Sequence, residues 1–337
     1  MAIRTIKYAN QTLEISYIKQ NPRGSVLDSS VVDSGAGVLD SSALDSSAGA
    51  GALDSGAPNK QARNIVFLHG WGSNKEIMQR AFAPYFKDFT HYYIDLPGFG
   101  QSPYGEEFGA ESKMLDSSLD SSAGFGANDT GAESSAPNTQ NTPKIFDTSD
   151  YARIIDLFFH SLGVKADIIA GHSFGGKVAM LCQSQSQNQN NEVMLLSSAG
   201  IVRQKSLKVR AKIALSKLTK KLGVRIPFLR AKDAQGLNRV MYEIFKRVVN
   251  EDFSSIFAES KKRASIFWGR DDDATPLDSG ERIHALMKGS RFFVYEGDHY
   301  FFLHQGDKIE RDFMQNATQN TMQSATQSTA QNAGKAN

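Results

Sequence analysis

The chain has 337 residues, 40% of them apolar, and a formal net charge of +2. Such an even balance builds no global field toward nucleic acid, and the length admits one large α/β domain with insertions or two smaller ones. The single cysteine, Cys182, excludes an intramolecular disulfide and fits a reducing compartment. No apolar run reaches membrane-spanning length and the N-terminus has no secretory pattern, so the expectation is a soluble cytoplasmic protein.

Residues 2–19 alternate apolar and polar side chains around Ala9-Asn10-Gln11, which predicts a β-hairpin. From about residue 24 to 60 the composition collapses to Leu, Asp, Ser, Gly and Ala, with Leu-Asp-Ser-Ser recurring at Leu27, Leu39 and Leu44. A second such tract covers roughly 105–143, where the unit returns at Leu115 and Leu119. Isolated leucines among Ser, Gly and Asp cannot bury enough apolar surface to offset chain entropy, so both tracts read as disordered insertions without a part in the chemistry.

Between the tracts, Asn64–Leu68 is a continuous apolar strand that ends in His69-Gly70-Trp71-Gly72. His91–Asp95 is another, ending in Leu96-Pro97-Gly98-Phe99-Gly100-Gln101-Ser102, and a helix around Asn74–Phe86 separates the two. Runs apolar on both faces suit a parallel sheet covered by helices. After the second tract, Ser149-Asp150 caps a helix with apolar residues at helical spacing from Tyr151 to Phe159.

The next strand, Ala166–Ala170, runs into Gly171-His172-Ser173-Phe174-Gly175-Gly176, and a helix continues from Lys177. A strand, a glycine-flanked serine and a helix in that order make a nucleophile elbow, G-x-S-x-G. Small neighbours allow the sharp bend that lifts the serine oxygen above the sheet edge, and the following helix turns its partly positive end toward an anion formed by attack. Glu192–Ser197 is the next strand. Residues 200–260 break the rhythm and predict an inserted helical cap, apolar at Leu207, Ala211, Leu215, Leu218 and Leu222. Its first half is rich in cations and has no acid from Arg203 to Lys232.

The sheet resumes at Ala264–Gly269, followed by a helix around Leu277–Met287, the strand Arg291–Tyr295 and a final helix after His299. From Gln315 a polar tail without periodicity reads as disordered. The predicted organisation is a core of 1–199 and 261–314, a cap of 200–260 and a tail of 315–337. Alternating strands and helices give an α/β, doubly wound, mostly parallel sheet with active groups at the strands' C-terminal ends.

The order strand–HGWG, strand–DLPGFGQS, strand–GHSFGG, helical insertion, strand–WGRDDDATP, strand–EGDH resembles the α/β-hydrolase superfamily with a cap domain. Within it, the chain is similar to the branch of carboxylic-ester hydrolases and C–C bond hydrolases that cleave dienoate (meta-cleavage) products. The resemblance spans nearly all of the chain outside the Ser-rich tracts and tail, and it implies a triad in the order Ser…Asp…His. Ser173 is then the nucleophile and His299 the base, in preference to His304. The acid comes from Asp271, Asp272 and Asp273, where the family spacing G-x-x-D-x-x-x-P from Gly269 to Pro276 selects Asp272 and leaves its neighbours as alternatives. The oxyanion would take the backbone N–H groups of Trp71 and Phe174.

His69 is expected to brace its loop and His172 to pack or brace, while His91, His160 and His284 are structural or exposed. Arg203 and Arg210 are candidates for drawing in a carboxylate-bearing small-molecule substrate. The implied reaction is hydrolysis of a carboxylic ester with a small to medium acyl group. C–C hydrolysis of a dienoate is the alternative, and a non-catalytic small-ligand receptor the third. Serine at the elbow argues against the epoxide hydrolases and dehalogenases of this fold, which carry Asp there. No metal-ligand spacing or phosphate-binding glycine loop occurs, so no cofactor is expected.

Overall fold

The computed structural model describes residues 1–22, 63–104, 143–185, 191–202 and 237–315. Strands β1 (Ala2–Tyr8), β2 (Gln11–Gln20), β3 (Arg63–Leu68), β4 (Phe89–Ile94), β5 (Ile168–His172), β6 (Glu192–Leu196), β7 (Ala264–Gly269) and β8 (Arg291–Tyr295) form one 8-stranded sheet. Its order is β1-β2-β4-β3-β5-β6-β7-β8; β2 is antiparallel to β1 and β4, and every other neighbouring pair is parallel. The hairpin turns at Ala9 and Asn10, both left-handed at φ 51° and 61°, which matches the twist of the strands it joins.

Helices α1 (Lys75–Phe82), α2 (Thr148–Leu162), α3 (Phe174–Gln185), α4 (Arg239–Val248), α5 (Ser254–Glu259) and α6 (Leu277–Leu286) fill the connections. A 3₁₀ turn, Phe301–His304, leads to helix α7 over 306–315.

The doubly apolar runs have a direct physical use. Along the central strands, Ile65, Phe67, Tyr93, Ile168, Met194 and Phe267 face a core closed by Met78 and Phe82 of α1 and by Ile309 and Phe313 of α7. Their alternates Val66, Leu68, Tyr92, Ile169, Leu195 and Trp268 face the core under α2, α3 and α6. Each such side chain, fully buried, contributes roughly 1.5–3 kcal/mol. The chain order reverses between β3 and β5, so the switch point where such sheets bind ligands lies at the end of β5.

Two helix boundaries differ from the sequence expectation. Helix α1 ends at Phe82 rather than Phe86, because Pro84 has no N–H with which to continue the ladder. Helix α2 is capped by Asp147, not by Ser149. The Asp147 carboxylate accepts the Asp150 N–H at 3.0 Å and Asp150 accepts the Asp147 N–H at 2.9 Å, a capping box built from two acids. Most of both low-complexity tracts, the first half of the expected cap with Arg203 and Arg210, and the tail beyond 315 lie outside the described residues. Among the described residues, no helix is long and apolar enough to cross a membrane.

Candidate active site

Strand β5 ends at His172 and α3 begins at Phe174, so the whole bend falls on Ser173. Its φ is 51°, a left-handed conformation that costs a residue with a Cβ roughly 1–2 kcal/mol. Glycine is required on both sides by close approach. A Cβ on Gly171 would lie 2.3 Å from the Gly175 carbonyl oxygen, and one on Gly175 would lie 2.5 Å from the His69 carbonyl oxygen. Strand, helix and the turn after β3 therefore pack backbone to backbone. The Ser173 N–H donates to Leu196 O at 3.1 Å, and Ser173 O accepts from Ala199 N at 3.0 Å, which ties the bend to β6.

Asp272 follows β7 and His299 follows β8. Asp272 is 4% exposed, whereas Asp271 and Asp273 lie in solvent. Its Oδ1 accepts the N–H groups of Ala274 at 2.9 Å and Thr275 at 2.8 Å. Its Oδ2 meets the Thr275 hydroxyl at 2.8 Å and His299 Nδ1 at 2.8 Å. Burial alone would raise the Asp272 carboxyl; the His299 hydrogen bond and charge, helped by the Thr275 N–H, outweigh it and hold the group below the usual carboxylate range. With its Nδ1–H given to Asp272, the His299 ring presents Nε2 as a proton acceptor. His304 ends the 3₁₀ turn and is exposed. No hydrogen bond joins the Ser173 hydroxyl to His299 in this structure.

Among the described residues, neither the Trp71 nor the Phe174 backbone N–H has an acceptor. The turn carrying Trp71 is braced from behind. His69, fully buried, shares Nδ1 with Gly70 O at 2.8 Å and accepts the Leu96 N–H on Nε2 at 3.0 Å. Burial lowers its proton affinity and keeps it neutral. His91 is likewise buried, between Tyr93 Oη at 2.6 Å and Phe86 O at 2.9 Å, while His160 and His284 are exposed. The Trp71 indole meets Phe99, Phe174 and Phe245 at ring separations of 4.8, 5.5 and 5.3 Å, so α4 rests on this turn.

Sequence reasoning missed two buried lysines. Lys75 Nζ meets Asp95 Oδ2 at 2.6 Å with both side chains at zero exposure, and Asp95 also accepts the N–H groups of Lys75 and Gln101. Burial pulls the Lys75 ammonium down, but Asp95 and Glu76 overcome it and hold it above its ordinary value. The only advance signal was an aspartate closing an apolar strand. Lys177, on α3, donates to Val248 O at 2.6 Å and Glu251 Oε2 at 2.8 Å. Burial lowers its proton affinity despite Glu251. The Cys182 thiol is buried and pushed up by desolvation, which makes it an inert packing group. Among the described residues, no group of three or more His, Cys, Asp and Glu is placed to hold a metal.

A family model described as the alpha/beta hydrolase family matches residues 65–319. An esterase from Exiguobacterium antarcticum shares the fold at 15% identity, over 94% of this chain and 99% of its own, with a TM-score of 0.56. The enol-lactonase from Burkholderia xenovorans does so at 13% identity, over 91% and 97%, with a TM-score of 0.54. The meta-cleavage product hydrolase from Pseudomonas fluorescens does so at 14% identity, over 93% and 98%, with a TM-score of 0.52. No curated protein matches the sequence. The matched span of 65–319, together with the sheet order and the serine bend at its switch point, places this chain in the alpha/beta hydrolase family.

Proposed function

We propose that the protein is a serine hydrolase with a Ser173–His299–Asp272 triad, acting on carboxylic esters of small to medium acyl groups. The observation that carries this reading is the 2.8 Å contact between His299 Nδ1 and a buried Asp272, beside an elbow serine held at φ 51°. Asp272 fixes the tautomer, so Nε2 takes the Ser173 proton as Oγ bonds to the ester carbonyl carbon. The carbonyl electron pair moves to oxygen, where the free N–H groups of Trp71 and Phe174 receive it; one such donor is worth ~3–4 kcal/mol of barrier. Collapse expels the alcohol with the proton returned by His299, and a water repeats the sequence to free the acid and Ser173.

Residues 200–260 form a cap over this site in the same reading, with Arg203 and Arg210 attracting a carboxylate on the substrate. C–C bond hydrolysis of a dienoate uses the same parts and is the second reading, supported by the fold shared with a meta-cleavage product hydrolase. The test is a panel of aryl esters of increasing acyl length run beside a dienoate ring-fission product, with half-esters at rising salt as a probe of the cap cations. Fluorophosphonate labelling accompanies it. Ser173→Ala should abolish turnover and labelling together, and a wild-type protein that neither labels nor turns over any substrate rejects the proposal.

A further inference from the structure

We infer that His172 is a positioning residue whose Nε2–H holds the backbone carbonyl of His299 and so keeps the base in register with the neighbouring nucleophile. The inference rests on the triad proposed above. His299 sits on the loop between β8 and the 3₁₀ turn, and the polar contacts of its ring are all at Nδ1, with Asp272 Oδ2 at 2.8 Å and the Thr275 hydroxyl at 3.3 Å. Contacts at one ring atom leave the residue's backbone without a restraint from the triad side. The second restraint comes from His172, the last residue of β5, which brings Nε2 to 3.0 Å from His299 O. Its ring lies 4.5 Å from His299, 5.0 Å from Tyr300 and 4.8 Å from Phe302, centre to centre. The residue that fixes the base is therefore bonded directly to Ser173.

The protonation state follows from the partners. A carbonyl oxygen only accepts, so Nε2 carries the proton and Nδ1 is left with a bare lone pair. That Nδ1 is buried and has no hydrogen-bond partner. It lies against the turn that carries Trp71, where a Cβ on Gly70 would sit 2.8 Å from it. An orphaned buried acceptor is destabilising and calls for an explanation; here it is the consequence of committing the ring's one proton to His299. Burial and the facing imidazole of His299 oppose a second proton, the His299 carbonyl and Asp272 pull the other way, and His69 adds a smaller opposing effect; the balance lies strongly toward the neutral ring. A neutral donor keeps its hydrogen bond at any working pH and adds no charge beside the imidazolium that forms on His299 during turnover.

The alternative is that His172 merely fills space among aromatic rings, and side chains separate the two. H172Q keeps an amide N–H near the Nε2 position, H172F keeps a ring without a donor, and H172M keeps flexible volume without a donor. Ester turnover, KM, fluorophosphonate labelling rate and thermal unfolding are measured on all three. Loss of the donor should lower kcat and labelling rate by about 10- to 100-fold with KM changed less than about twofold, because misplacement acts on the reacting geometry rather than on binding. H172Q should recover to within about threefold of wild type, with the acid limb of its pH–rate profile unmoved.

The inference is overturned if H172F or H172M labels and turns over as fast as H172Q, or if the acid limb moves in H172Q, which would make His172 itself a proton carrier. Insolubility of both donor-less variants, with or without that of H172Q, would assign the contact to folding and overturn it as well. Failure of the triad proposal is distinguishable: there the wild-type protein itself is neither labelled nor active.

Discussion

Asp272→Asn is the sharpest perturbation the geometry offers, because it changes one atom among four hydrogen bonds. Oδ1 would go on accepting from Ala274 N and Thr275 N, so the turn after β7 stays in place. The atom facing His299 Nδ1 at 2.8 Å becomes an amide nitrogen, which donates and cannot accept. The imidazole must then move its proton to Nε2, the atom that in the proposed triad has to be bare to receive the Ser173 proton. The loss expected from such a wrong tautomer is about 10⁴-fold in kcat, or about 5.4 kcal/mol at 1.36 kcal/mol per decade. Asp271→Asn and Asp273→Asn alter side chains in solvent and should stay within about twofold, the range of surface substitutions. The assay is steady-state ester hydrolysis normalised to folded protein, with the imidazole nitrogen shifts of His299 read by NMR. Equal losses at Asp271 or Asp273, or a fully active Asp272→Asn protein, would refute the assignment of the acid.

Lys75→Met leaves the Asp95 carboxylate buried without its cation and should destabilise the protein by about 3–5 kcal/mol in urea titrations; an unchanged midpoint argues against the buried pair. His69, His91 and His172 are all buried and held below their ordinary value of 6.5, chiefly by desolvation. At these sites the unfolded chain binds more protons, so their contribution to stability should be flat above about pH 6.5 and fall below it. The slope should reach up to about 1.4 kcal/mol per pH unit for each histidine, and His91→Gln should remove one share of it. Lys177→Met should loosen α4 and lower kcat several-fold, with or without a rise in KM, since α4 packs on the elements that carry both candidate oxyanion N–H groups. Hydrogen exchange of α4 together with steady-state kinetics checks it, and a loosened α4 with unchanged kcat contradicts it.

The parts of the fold that were legible in the sequence are those whose physical demand is local. Gly171 and Gly175 flank Ser173 because their backbones touch, and that contact is written within five consecutive positions. Continuous apolar strands betray a two-faced sheet for the same reason. The choice of the proposed acid is different. Asp271, Asp272 and Asp273 are the same chemistry in a row, and what separates them is that Asp272 alone is buried against the N–H groups of Ala274 and Thr275. Family spacing pointed to it; periodicity had no means to. The Lys75–Asp95 pair stayed hidden because a lysine at the start of a helix reads as solvated, and only the approach of two loops 20 positions apart removes the water.

Lys177 shows how that kind of long-range contact bears on the site. It lies one helical turn beyond Ser173 and its ammonium takes the last carbonyl of α4, a position where a cation meets the negative end of the helix. Glu251, its carboxylate partner, accepts the Thr148 N–H and hydroxyl at the start of α2, and the Phe253 ring lies 4.6 Å from Nζ. Helix α4 is thus tied at its end to α3, while its Phe245 touches the indole of Trp71 on the turn that offers a free N–H. The same helix is fixed to both halves of the candidate oxyanion site, through a charge on one side and an aromatic contact on the other. In the proposed mechanism a displacement of α4 would reach both N–H donors, which couples the packing of this helix to the geometry that would stabilise the transition state.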